Sequence, residues 1–235
     1  MKKISIILLA AVCAASLAYG QESQQKLVGG KTNGAAYNPD SIELVYVEGV
    51  GAIQGFYIGK YEVTQAQWQS VMGYNPSTGK GATRPVEMVS WYDAQEFLEN
   101  LNTMTGRNYR LPTAAEWEYA ANGGKNRDTY EYAGSNSIND VAWYEQNSGC
   151  GGCLYSDNIS HTHPVGQKLP NSIGIYDMSG NVWEWCQDWH NEGSTRAIRG
   201  GSWYIRARYC RVATRGASEN PDARGSNGGF RIVLP

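Results

Sequence analysis

From Asn126 to Pro235 the sequence never sustains a helical period and is dense in Gly, Asn, Ser and Asp. That excludes a helical bundle and points to loops and short strands for this half of the chain. The 28 Gly, 16 Tyr and 8 Trp residues, with charged side chains at only 18%, fit turns held together by aromatic packing.

The first half reads differently. Ile42–Val47 and Phe56–Val63 alternate apolar and polar side chains and are expected to be strands. Thr64 caps a short helix that places Trp68, Val71 and Met72 on one face and stops at Gly73. Ser90 with Asp93 forms a capping-box pattern for a second helix that buries Ala94, Phe97, Leu98, Leu101 and Met104 before Gly106. Thr113 with Glu116 repeats that pattern for a third helix ending at Gly123-Gly124. No linker, low-complexity tract or internal repeat divides the chain, so one α+β domain is expected over 42–235, after a flexible leader at 21–41.

Residues 1–20 combine Lys2 and Lys3 with an apolar run and end in Ala18-Tyr19-Gly20, the pattern of a cleaved secretory signal peptide. Export to the periplasm or the exterior is expected. Val12 directly before Cys13 makes a poor lipoprotein-processing site, which favours a released protein over a lipid-anchored one, and no later stretch is apolar enough to span a bilayer. The formal net charge of −2 falls to −4 when Lys2 and Lys3 are removed, which speaks against a general nucleic-acid binder. Cys150, Cys153, Cys186 and Cys210 remain; four cysteines in an oxidising compartment favour disulfides but allow three pairings, with Cys150-Gly-Gly-Cys153 reading as a short loop disulfide. His161, His163 and His190 fall in no helical metal spacing, and there is no phosphate loop or nucleophile elbow.

A set of segments resembles the formylglycine-generating enzyme (sulfatase-modifying factor) family. They are 56–64 (Phe56 to Thr64), Arg84-Pro85-Val86 with Val89-Ser90-Trp91, 109–118 (Tyr109 to Glu118), His163-Pro164-Val165-Gly166, Gly180-Asn181-Val182-Trp183-Glu184-Trp185 with Asp188-Trp189, Arg199-Gly200-Gly201-Ser202-Trp203 and Gly229-Phe230-Arg231. They run in the family's order from about residue 42 to the C-terminus. The resemblance implies a C-type-lectin-like fold. Trp183, Trp185, Trp189 and Trp203 are expected to pack the core, with Trp183 also lining the active site as its family counterpart does.

The resemblance also implies two metals. A structural calcium would be held by the side chains of Asp177 and Glu184 and the carbonyls of Gly180 and Val182, oxygen donors of the kind calcium prefers; around Asp157 the spacing departs from the family's second calcium site. The family's oxidase holds copper(I) between two cysteine thiolates five residues apart, just after Gly-Gly-Ser, and converts a sulfatase cysteine to formylglycine. Those positions here are Ile205 and Cys210. Isoleucine cannot ligate copper. An oxidase would have to work with Cys210, Ser202, Trp183 and Tyr209 alone, and a disulfide from Cys186 to Cys210 is a more economical expectation than a relocated copper site.

Residues 204–228 also resemble the variable region of diversity-generating-retroelement proteins, which use the same lectin-like fold to display ligand-binding surfaces. Tyr204, Ile205, Arg206, Tyr209, Thr214, Ser218 and Ser226 stand where relatives carry asparagine, and each is reachable from an asparagine codon by changing adenines. From Thr195 onward eight arginines face Glu219 and Asp222, a local charge of +6 interleaved with Trp203, Tyr204 and Tyr209. Tyr and Arg among small polar residues make a paratope-like composition. Tyr204, Ile205, Arg206, Arg208, Tyr209, Thr214, Ser218, Arg224 and Ser226 are the expected contacts for a protein or glycan ligand; a sulfatase polypeptide is the alternative partner.

Overall fold

A computed structural model describes residues 42–149 and 161–235. The signal and leader readings, the pair Cys150 and Cys153, and Asp157 lie outside the described residues.

Each of the three capped helices forms where its cap stands. Helix α1 (Gln65–Met72) opens on Thr64, whose side chain accepts from the Gln67 amide while Gln67 reaches back, and it closes on Gly73 at φ 80°. Helix α2 (Trp91–Thr105) has the reciprocal Ser90–Asp93 box and α3 (Ala114–Ala121) the Thr113–Glu116 box. A one-turn helix, α4 (Ile138–Val141), was not foreseen. Met104, expected to be buried, is 52% exposed; α2 buries only the stripe from Trp91 to Leu101, and its last turn runs past the core.

Strand β1 (Leu44–Val47) pairs antiparallel with β2 (Phe56–Gly59), which pairs with β7 (Val233–Leu234). A second sheet orders β5 (Ser218–Glu219), β4 (Thr195–Arg199), β3 (Trp183–Asn191) and β6 (Gly228–Gly229), with β6 parallel to β3. Nine residues long, β3 is longer than the short strands expected of this half. Its partner β4 keeps it ordered, Glu184 standing opposite Arg199 and Trp185 opposite Ile198.

Two apolar clusters form the core. In one, Trp68 stacks on Phe97 at 5.4 Å and Phe97 meets Phe230 edge-on at 5.4 Å, joining α1, α2 and the C-terminal segment. Each such buried ring contributes about 2 kcal/mol or more. The other gathers Phe56, Ile58, Trp117, Ile175 and Met178 beneath α3. Of the four tryptophans expected in the core, Trp185 and Trp203 are buried, while Trp183 and Trp189 are half-buried.

Candidate functional site

Three turns converge where the family-like motifs cluster. The first runs through Gly180 and Asn181 into β3. Gly180 sits at φ 81°, and a Cβ there would lie 2.2 Å from the Trp143 carbonyl oxygen, so only glycine fits. Asn181, at φ 58°, has the residue type that tolerates the left-handed region and uses every polar group. Its amide donates to Trp143 O (2.8 Å), its carbonyl accepts from the Trp203 amide (2.8 Å), its Oδ1 accepts from the His163 amide (2.9 Å), and its Nδ2 donates to Glu62 Oε2 (2.7 Å). This one residue therefore ties the turn to β2's exit and the His163 segment through its side chain, and to Trp203 through its carbonyl.

Below that turn lies a buried charge cluster. Arg231 donates to both oxygens of Glu184 (2.6 and 2.7 Å), to Gly59 O and to Tyr176 O, and Trp117 Nε1 adds a further bond to Glu184 (2.7 Å). Glu62 and Asp177 share the cluster, so three carboxylates meet one guanidinium. Burial, with the nearby charges of Asp177 and Glu184, pushes the Glu62 carboxyl well up. Burial also lifts Asp177 to about 6, against the Gly166 amide that donates to its Oδ2 at 2.7 Å. Asp177 Oδ1 is buried with no hydrogen-bond partner. The calcium expectation meets this arrangement unevenly. Glu184, one of its ligands, is committed to Arg231 and Trp117, and among the described residues no three His, Cys, Asp or Glu side chains are arranged so that they could hold a metal ion. Asp177, whose buried Oδ1 has no hydrogen-bond partner, offers one oxygen of the kind a hard cation takes.

The second turn is Gly200-Gly201-Ser202, and the third is the 3₁₀ turn Ala207–Tyr209 leading to Cys210. Gly201 sits at φ 80°, and a Cβ there would be 2.6 Å from Cys210 Sγ, which brings the Gly-Gly-Ser turn directly against the cysteine. Ser202 is buried and its Oγ has no partner. Cys210 is fully buried too; burial pushes its thiol up to about 12, against the opposing effect of the Ser202 and Gly180 amides. Ile205 packs against the apolar cluster formed by Tyr132, Val141, Ala142, Tyr144 and Cys210.

Cys186 and Cys210 are both free thiols, which corrects the expected disulfide. Cys186 belongs to the core beneath α3 and Cys210 to the cluster around Ile205, so their side chains point into different packing environments. The copper site does not fit these residues. Its first ligand position is hydrocarbon, which leaves Cys210 as a single sulfur where the linear copper(I) site needs two.

The predicted ligand residues divide. Tyr204 packs edge-on against Trp203 (5.5 Å), Arg208 donates to the Tyr209 hydroxyl (2.8 Å) with its guanidinium 4.6 Å from that ring, and Thr214 donates to Arg208 O (3.2 Å). Arg206, Arg208 and Tyr209 are exposed. Ser226 lies beneath Trp203, whose Nε1 donates to its carbonyl (3.0 Å), and the Trp183 amide donates to Asn227 O (2.8 Å). Ser218, by contrast, stands in the β5 ladder opposite Ala197, and Arg224 is held bidentately by Asp93. The local charge is largely matched by acids that precede Thr195 in the chain. Arg199 and Arg215 pair with Glu118, Arg206 with Glu145, Arg211 with Glu131, Arg224 with Asp93 and Arg231 with Glu184. Arg196 lies between the rings of Trp91 and Trp189 (3.9 and 3.5 Å), which leaves Arg208 as the arginine after Thr195 that is exposed and has no acidic partner among the described residues.

Sequence reasoning passed over Glu62, Asn181 and the role of Arg231. The signal was present for Glu62: a carboxylate between Tyr61 and Val63, in a segment otherwise bound for the core, has to find buried partners.

The sulfatase-modifying factor enzyme 1-like domain model matches residues 29–235. The chain belongs to this family. A chaperone protein, LppX, from Paenibacillus barcinonensis is 39% identical over 86% of this chain and 85% of its own length. The formylglycine-generating enzyme of Thermomonospora curvata is 32% identical over 73% of this chain, which spans only 62% of that enzyme. Among solved structures, Treponema denticola variable protein 1 superposes with a TM-score of 0.69 at 30% identity, covering 86% of this chain and 99% of the other. The α+β, C-type-lectin-like architecture is thus the family's own. Among the described residues no helix is long and apolar enough to cross a membrane.

Proposed function

We propose that this protein is an exported, non-catalytic binding module of the sulfatase-modifying factor family, whose surface around Tyr204–Tyr209 contacts a protein or glycan ligand. The carrying observation is Ile205, a hydrocarbon side chain packed against the apolar cluster that holds Cys210, at the position where the family's oxidation chemistry needs a second thiolate. The exposed Arg206, Arg208 and Tyr209 on a turn braced by Thr214 support a recognition role, since such residues dominate interface energetics. Two relatives bear names that agree with recognition, one a chaperone and the other a variable protein. Of the two ligand classes, a chaperone's name favours a protein.

Conversion of the cysteine in a sulfatase-motif peptide, assayed with oxygen, reductant and copper, tests the reading against its enzymatic alternative. No formylglycine is expected, and conversion that disappears in Cys210→Ser would overturn the proposal. Binding to candidate exported proteins should weaken on replacing Arg208 and Tyr209 together by alanine, by about 2 kcal/mol if they are interface anchors. Diversification of residues 204–226 would be supported by a near-repeat of this segment in the neighbouring DNA that differs at adenines, with a reverse transcriptase nearby. Calcium at Asp177, with the carbonyls of Gly180 and Val182, is part of the same proposal. Chelation should then lower the melting temperature, and an unchanged melting temperature would remove it.

A further inference from the structure

Across the exposed face of α3 lies a groove of about 630 Å³, within the size range of small-molecule sites. Its lining includes apolar surface from Val50 and Ile53, in the turn between β1 and β2, and from Tyr119 of α3. Arg127 and Arg215 line the same groove. Tyr119 is held in place by its hydroxyl, which donates to Glu48 O at 2.9 Å.

Arg127 is the unusual member of this lining. It sits at φ 53°, in the left-handed region, directly after the left-handed glycines Gly123 and Gly124 and the short turn that follows them. A side chain other than Gly or Asn is strained there, and such strain persists where the surroundings or a function demand it. The backbone explains how the turn is held, with the Arg127 amide donating to Gly124 O (3.2 Å) and the Asp128 amide to Asn122 O (2.7 Å). It does not explain the choice of arginine, whose exposed side chain makes no hydrogen bond or ion pair among the described residues.

The acidic groups in the groove are already occupied. Glu118 takes Arg199 on one oxygen and a bidentate contact from Arg215 (3.1 and 2.6 Å), and Asp128 accepts from the Ser172 amide (3.2 Å). Arg215 is itself largely exposed, with a side-chain accessibility of 76%, so its outer N–H groups face solvent. An uncommitted guanidinium, a second with donors to spare and apolar surface together match one ligand chemistry. We infer that this groove binds a small amphipathic anion, its carboxylate on Arg127 and Arg215 and its hydrocarbon body on Val50, Ile53 and Tyr119. This site is separate from the Tyr204–Tyr209 surface.

Isothermal titration of the whole mature protein with decanoate, below its micelle concentration, tests the inference. One saturable site is expected, with acetate and neutral 1-decanol each binding at least roughly tenfold more weakly, because each lacks half of the complement. Arg127→Gly is the decisive variant. It removes the guanidinium and relieves the left-handed strain, so it should weaken decanoate binding roughly tenfold while leaving the melting temperature within about two degrees of wild type. Arg215→Ala should weaken binding as well. Absence of saturable binding, equal binding of 1-decanol, or full affinity in Arg127→Gly would overturn the site.

Discussion

Glu184 and Arg231 are the residues on which the molecule's interior most depends, because both are fully buried and each is the other's main counter-charge. Glu184→Gln leaves a buried guanidinium facing a neutral amide beside Glu62 and Asp177. A loss of about 3–5 kcal/mol is expected in urea denaturation, the range for breaking one side of a buried pair. His163 gives a pH signature of its own. It stacks on Trp143 at 3.7 Å, Lys168 Nζ lies 4.0 Å from the same ring, and burial lowers the His163 pKa below its ordinary 6.5. The unfolded chain therefore takes up this proton at a higher pH than the folded chain does. Its contribution to stability is fully present above pH 6.5 and declines as the pH falls from there through the lowered folded value. Melting temperatures of wild type and His163→Phe, compared between pH 7.5 and 5.5, should show a decline on acidification that is smaller in the variant; parallel curves would count against this assignment.

At the scale of elements, the capping boxes carry both local structure and long-range attachment. Asp93 accepts the Ser90 amide at 2.8 Å and, from the other side, Arg224 bidentately, so the start of α2 is also an anchor for the C-terminal segment. Ser90→Ala should cost about 1 kcal/mol. Asp93→Asn should cost more, because it also releases Arg224, and a double-mutant cycle with Arg224→Ala would measure the shared part. The caps were legible in the sequence because their bonds span three residues, and so were the strands at Leu44 and Phe56, whose alternation is local. What escaped was set by distant partners. Met104 has the right period on α2 but nothing to pack against beyond Leu101, and β3 owes its length to pairing with β4 and β6 rather than to its own pattern. The same limit governed the site. The turn of Gly180 and Asn181 could be read from its motif, whereas the capture of Glu184 by Arg231, 47 residues away, and the separation of Cys186 from Cys210 depend on tertiary packing.

At the scale of the whole molecule, arginines after Arg196 reach back to acids that precede Thr195, so a segment that looked strongly basic is pinned to its scaffold at Asp93, Glu118, Glu131, Glu145 and Glu184. Most of these pairs are partly exposed, and each is worth little alone; together they hold the turn bearing Arg208 and Tyr209 in a fixed frame. The family's architecture is thereby kept while its metal chemistry has no second thiolate. Copper(I) titration of the reduced mature protein tests this most directly. No tight one-to-one binding by wild type is expected, because Ile205, packed against the cluster that holds Cys210, stands where a second thiolate would be needed. Stoichiometric binding by wild type that is abolished in Cys210→Ser would contradict it.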